Sequence, residues 1–76
     1  MGTEVHVEDL FGIGKRYDLG SARSRRISVV VHKDGTRELY VFEEPGDEPT
    51  ATLRLTEEEA RKVGAILAGT YFGGDD

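Results

Sequence analysis

The chain contains no cysteine and only two histidines among its 76 residues. Without cysteine it can form neither a disulfide nor a thiolate metal site. His6 and His32 are by themselves too few for a structural zinc site. A chain of this length buries only about 60% of its unfolded surface, and such domains often add a disulfide, a metal or a partner. A partner surface is therefore the expected source of additional stability.

Positive charge and long apolar runs are also scarce. Ten basic and fifteen acidic residues give a net charge of −5, and the acidic excess falls in the second half of the chain. Nucleic acid is therefore a poor partner, because nucleic-acid affinity depends mainly on basic surface. No apolar run approaches the roughly 20 residues that span a membrane, and the start MGTEVHVED lacks a secretory pattern. We expect no direct membrane insertion but one soluble cytoplasmic domain over residues 1–76, with a core at about 4–69 and a flexible tail at 70–76.

Five segments show the alternation or the β-branched content that is typical of strands. A Lys33-Asp34-Gly35 loop predicts a hairpin between the third and fourth segments. Two registers are open: a three-residue loop with Gly35 left-handed sets Val29 opposite Leu39, and a two-residue Asp34-Gly35 loop sets it opposite Tyr40. We prefer the first, because it sorts the side chains into two distinct faces. The aliphatic face carries Ile27, Val29, Val31, Leu39 and Val41, and the aromatic face carries Val30, His32, Tyr40 and Phe42. The five segments are 3–10, 15–19, 26–32, 39–43 and 50–55.

A helix is predicted directly after the last strand. Thr56 and Glu59 form a capping box, and Gly69 suits the left-handed position that ends a helix. The apolar stripe consists of Ala60, Val63, Ile66 and Leu67. The expected fold class is α+β: a small antiparallel sheet of four to five strands, with one C-terminal helix packed on one face. The aromatic face then contacts a copy of the chain or another domain, or is covered by the N-terminal strand and Tyr71-Phe72.

No segment has the pattern of a catalytic or cofactor site. The stretch FGIGKRYDLG, residues 11–20, has the G-x-G spacing of phosphate loops, but it lacks the third glycine of a dinucleotide fingerprint and the spacing of a P-loop. We interpret it as a bend or bulge that leads into a strand. Ser21, Ser24 and Ser28 lack the G-x-S-x-G pattern of a nucleophilic serine, and no histidine is placed by the sequence to activate them. We therefore predict a protein that is not an enzyme and that has neither cofactor nor metal.

A basic patch, SARSRR at residues 21–26, is the one polar segment suited to a partner. Guanidinium groups in a polar loop bind carboxylates or phosphates. The alternative is a solvated loop that offsets an acidic chain.

Three segments resemble a known family: GIGKRYDL (12–19), RRISVVVHKDGTRELYVF (25–42) and LRLTEEEARKVGAIL (53–67). Together they are similar to the N-terminal domain of the soluble regulatory subunits of bacterial potassium/proton antiporters, of the cation:proton antiporter-2 class. Phe11 stands where that family commonly has proline. Such subunits usually continue into a C-terminal ligand-binding domain. The 76 residues here end just after the predicted helix, as expected either for one domain of a longer protein or for a natural short form, so ligand gating is not assigned to any of them.

The resemblance implies a cytoplasmic subunit, peripheral to the inner face of the cell membrane, that regulates a potassium(cation)/proton antiporter without catalysis. Contact with the antiporter is predicted for the arginine loop or the aromatic face. Two further contacts are predicted as alternatives: one with a second copy of the chain, in a homodimer, and one with a C-terminal ligand-binding domain that is not among these 76 residues. The alternative function is a stand-alone interaction or dimerisation module with no transporter partner. The candidate partner-binding residues are Arg23, Arg25, Arg26, Val30, Tyr40 and Phe42.

Overall fold

A computed structural model describes residues 4–20, 25–43 and 46–71. Over these residues each strand pairs antiparallel with the next, so the order in the sheet is the order in the chain. A helix follows the last strand, which confirms the predicted α+β class. The elements are β1 Val5–Leu10, β2 Gly14–Gly20, β3 Arg25–His32, β4 Arg37–Glu43, β5 Ala51–Leu55 and α1 Glu57–Ala68.

The β3–β4 hairpin adopts the preferred register. Val29 lies opposite Leu39, which confirms the three-residue loop and excludes the two-residue one. Gly35 has a φ of 98°, and its N–H donates to the carbonyl of His32 at 3.0 Å. The N–H of His32 in turn donates to the carbonyl of Thr36 at 2.9 Å. A glycine meets this requirement because a positive φ is costly for residues with a Cβ.

The glycine-rich stretch forms the turn between β1 and β2. Ile13 donates its N–H to the carbonyl of Leu10 at 2.9 Å, and Gly12 has a φ of 79°. The strand then begins at Gly14, so the bend predicted for this stretch is confirmed. β1 lies in the plane of the sheet beside β2. The alternative in which the N-terminal strand crosses the aromatic face is therefore wrong. β1 is hydrogen-bonded to β2 as the outermost strand of the same sheet, so it does not lie over either face.

The helix begins and ends where its capping residues predict. Thr56 accepts from the N–H of Glu59 at 3.1 Å, and the Glu59 side chain accepts from the N–H of Thr56 at 3.0 Å. Gly69 closes the helix with a φ of 78°. The helix lies over the aliphatic face, where the two enclose an open space of about 240 Å³ lined by Val29, Arg37, Leu39, Leu55, Ala60, Val63, Gly64 and Leu67.

The helix covers this face incompletely. Among the described residues no apolar side chain is fully buried, and Leu67 is 80% exposed. One helix of 12 residues is about 18 Å long and lies beside β5, so it does not reach the far strands. Val5 and Val7 of β1 consequently remain exposed. This part of the chain is a single-layered sheet with a partial cover.

Candidate partner-binding surface

The candidate residues separate into two faces of the sheet. Arg26, Val30, Tyr40 and Phe42 all lie on the aromatic face, because they occupy positions that the β3–β4 register places on the same side. Arg25 lies on the opposite face and pairs with Glu43, whose Oε2 is 4.0 Å from the Arg25 Nε. Arg23 falls outside the described residues, as does Phe72 of the predicted cover. Strand alternation thus separates two arginines that are adjacent in the chain.

Arg26 and Phe42 form a stacked pair at one end of the surface. They are directly opposed across the β3–β4 ladder, which sets their side chains close together on the same face. The guanidinium carbon of Arg26 lies 4.3 Å from the centre of the Phe42 ring. A cation at this distance is attracted by the ring face. The pair therefore holds a positive group at a defined place beside the aromatic rings.

A shallow hollow occupies the middle of the aromatic face. It has a volume of about 350 Å³ and is open to solvent. Three candidate residues line it: Val30, Tyr40 and Phe42. They come from the paired strands β3 and β4, whose ladder sets their relative positions. Its remaining wall is formed by Leu10, Arg16, Ser28 and Pro49.

The first polar cluster on this face is centred on Asp18. Ser28, which is only 2% exposed, donates its hydroxyl to Asp18 Oδ1, and the Arg16 Nε donates to the same oxygen at 3.1 Å. Partial burial acts to raise the pKa of Asp18, but the bonds from Ser28 and Arg16 and the charge of Arg16 outweigh it. The pKa of Asp18 therefore lies below its ordinary value, and Asp18 carries its negative charge at neutral pH.

The second polar cluster is centred on Glu38. Its Oε1 lies 2.9 Å from the His32 Nε2 and accepts from the Tyr40 hydroxyl at 2.9 Å. Its Oε2 accepts from the Arg54 Nη2 at 2.8 Å. Bonds from His32, Tyr40 and Arg54 lower the pKa of Glu38, and the bond to Glu38 raises the pKa of Tyr40. The Tyr40 hydroxyl is thereby held in place, and its ring stays available at the hollow.

This arrangement is chemically suited to binding. Both carboxylates are already paired, and no group of three or more metal-ligating side chains occurs among the described residues. What the surface offers is apolar and aromatic area with fixed polar groups at its margin. Sequence reasoning missed Arg16, Asp18 and Glu38. The signal was the alternation of Arg16 with Asp18 and of Glu38 with Tyr40, which places each pair on one face of its strand.

No helix in the described part of the chain has both the length and the apolar character needed to cross a membrane. The family model described as "K(+)/H(+) antiporter subunit KhtT, N-terminal domain" matches residues 3–71. This range includes all five strands and the helix.

Three curated proteins are similar to the chain over 69 residues, or 90% of its length. The K(+)/H(+) antiporter subunit KhtT of Bacillus subtilis is 35% identical, and the match covers 42% of that protein. The protein YrvC of the same bacterium is 38% identical, again with 42% of its length covered. The ammonium/H(+) antiporter subunit AmhM of Alkalihalophilus pseudofirmus is 32% identical, with 41% covered. The chain thus spans about two-fifths of the length of the curated relatives it matches.

Proposed function

Since this chain belongs to the family of N-terminal domains of KhtT-type antiporter subunits, we propose that it is a non-catalytic regulatory domain that binds and modulates a membrane cation/proton antiporter. Two relatives are named as subunits of potassium and of ammonium antiporters. The proposal therefore concerns cation/proton antiport as a class. The domain acts in the cytoplasm, at the inner face of the membrane, through its partner.

The aromatic face is the proposed contact with the antiporter. The observation that carries this assignment is that four candidate residues, Arg26, Val30, Tyr40 and Phe42, share one face, and three of them line one hollow. Aromatic residues and arginine are the side chains most enriched among those that dominate binding energy. A partner that fits this surface presents an apolar group to the hollow and a carboxylate to the Arg26 guanidinium.

Modulation requires that the domain bind one state of the antiporter more tightly than another. A ligand with equal affinity for both states does not change their populations. An antiporter surface that moves between transport states, and so meets the hollow in one state only, satisfies this condition. The fixed geometry of the two polar clusters favours such discrimination, because a preorganised surface tolerates little misalignment.

Neighbouring arginines provide a matched test. Arg26→Ser removes a guanidinium from the aromatic face, and Arg25→Ser removes one from the opposite face, with the same change of charge. We expect Arg26→Ser to weaken binding to the antiporter by about fivefold or more, because an interface arginine often contributes over about 1 kcal/mol. Arg25→Ser should bind like the parent. Binding is measured with the detergent-solubilised antiporter, and antiport with the reconstituted transporter in vesicles.

The possible outcomes distinguish the proposals. Equal losses for the two variants would favour the arginine loop over the aromatic face. Two unchanged variants that still bind would contradict the assignment of Arg26. If the parent chain neither binds the antiporter nor alters antiport, the regulatory proposal fails, and the stand-alone interaction module replaces it.

A further inference from the structure

Strand β1 leaves a row of backbone groups on the outer edge of the described sheet. Its one strand neighbour there is β2. The carbonyl of Leu10 points toward β2, because it accepts from Ile13 in the turn. Backbone direction alternates along a strand, so His6 and Glu8 also bond to β2. The N–H and C=O groups of the intervening residues, Val5, Val7 and Asp9, therefore point away from the sheet.

We propose that a second copy of this chain pairs with β1 edge to edge, in antiparallel orientation, about a two-fold axis at Val7. In this register Val7 lies opposite Val7 of the second copy, and Val5 lies opposite its Asp9. All three residues with outward-facing backbone groups then exchange hydrogen bonds with their counterparts. The result is one continuous antiparallel sheet that runs through both copies.

Charge selects this register over its neighbours. An axis at Val7 sets His6 of each copy opposite Glu8 of the other, so the interface contains two His–Glu pairs. An axis at His6 would set Glu4 against Glu8, and an axis at Glu8 would set that carboxylate against itself. Like charges directly opposite each other destabilise a sheet. The Val7 axis is therefore the arrangement that avoids opposed carboxylates, sets an imidazole opposite each Glu8 and forms the largest number of backbone bonds.

The side chains at this edge support a second copy as the occupant. Val7 lies on the aliphatic face, beyond the reach of the helix, and is 55% exposed. Pairing about the axis brings two such valines together on one face, where aliphatic cross-strand pairs are favourable. The opposite edge is less suited, because only two residues of β5, Thr52 and Arg54, have outward-facing backbone groups, whereas β1 has three.

A single introduced thiol tests the register. The chain has no cysteine, so Val7→Cys carries one thiol per copy. Directly opposed residues in a hydrogen-bonded antiparallel pair have Cα atoms about 5.5 Å apart, within the range that a disulfide spans. Leu53→Cys is the control, since Leu53 lies on the same face near the other edge and is 49% exposed.

Under mild oxidation we expect the Val7→Cys chain to form a covalent dimer at least about tenfold faster than Leu53→Cys, because pairing places its two thiols next to each other. Equal rates for the two variants would overturn the register, since they would reflect random collision.

Backbone pairing is tested separately with Val7→Pro and Val7→Ala. Both replace the branched valine side chain, but only proline removes the outward-facing N–H, and it leaves the bonds between β1 and β2 in place. We expect the parent chain and Val7→Ala to sediment as dimers and Val7→Pro as a monomer with an unchanged circular dichroism spectrum. A parent chain that stays monomeric up to about 1 mM, or a Val7→Pro chain that dimerises like Val7→Ala, would overturn the proposal.

Discussion

Gly14 lies where β2 leaves its turn, and its replacement by alanine should destabilise the whole sheet. The residue has a φ of 153°, a conformation that L-residues rarely adopt. An added Cβ would overlap the carbonyl oxygen of Val31 on the neighbouring strand and would lie 2.9 Å from its carbonyl carbon. These are backbone atoms of a paired strand, so no side-chain rotation relieves the overlap. The Gly14→Ala chain can accommodate the methyl group only by moving β2 relative to β3.

The expected cost follows from these two effects. Overpacking typically costs about 1–3 kcal/mol, and an unfavourable backbone conformation about 1 kcal/mol or more. We therefore expect Gly14→Ala to lower the free energy of unfolding by about 3 kcal/mol. A domain of this size has a total stability of about 4–11 kcal/mol. Since each kcal/mol shifts the melting temperature of a small domain by about 4–8 °C, the midpoint should fall by about 12 °C or more.

Gly20→Ala is the matched control for this measurement. Gly20 ends the same strand, and a Cβ added there would meet no atom of the described residues within 4 Å. Alanine at such a position is expected to be neutral or stabilising by about 0.4–1 kcal/mol, because it restricts the unfolded chain. Thermal and urea unfolding of both variants are followed by circular dichroism. A Gly14→Ala midpoint within about 4 °C of the Gly20→Ala midpoint would refute the steric argument.

Two further predictions concern a polar cluster and the helix. Because bonds from His32 and Tyr40 lower the pKa of Glu38 in the folded chain, its carboxylate stabilises the fold above its ordinary pKa of 4.5, and this contribution is lost as the pH falls through the lowered value. When the pH is lowered from about 7 to about 3, the Glu38→Gln chain should therefore lose less free energy of unfolding, measured in urea, than the parent chain. A variant that loses as much as the parent would contradict this role of Glu38. Leu67→Ser should change the free energy of unfolding by no more than about 0.5 kcal/mol, because Leu67 is 80% exposed. Leu39→Ser on the sheet should cost over about 1 kcal/mol, and equal costs would show that the helix packs more tightly than described.

Much of the local structure was predictable because its determinants are close together in the chain. The β3–β4 register depends on Gly35 and on the alternation of side chains beside it, and both are visible without a structure. The helix bounds depend on Thr56 and Gly69, which act on backbone groups within four residues. Family membership was likewise predictable, since it rests on motifs within these same segments.

The candidate surface was predictable only in part. The sequence indicated that Val30, Tyr40 and Phe42 share a face, because they belong to one hairpin. It did not indicate that Arg25 faces the other way, since the predicted strand began only at residue 26 and the arginines were interpreted as lying in or beside a loop. In the structure β3 begins at Arg25, and strand alternation then sends the two side chains in opposite directions.

By itself the amino-acid sequence determined where the strands and the helix form, which side chains alternate, and which family the chain belongs to. Only the tertiary structure decided how β2 aligns with β3, and hence that Asp18 meets Ser28 across ten residues of chain. It also decided how little of the aliphatic face the helix covers. The physical reason is the same in both cases. Contacts between distant segments depend on the register and spacing of whole elements, whereas caps and turns depend only on neighbouring residues.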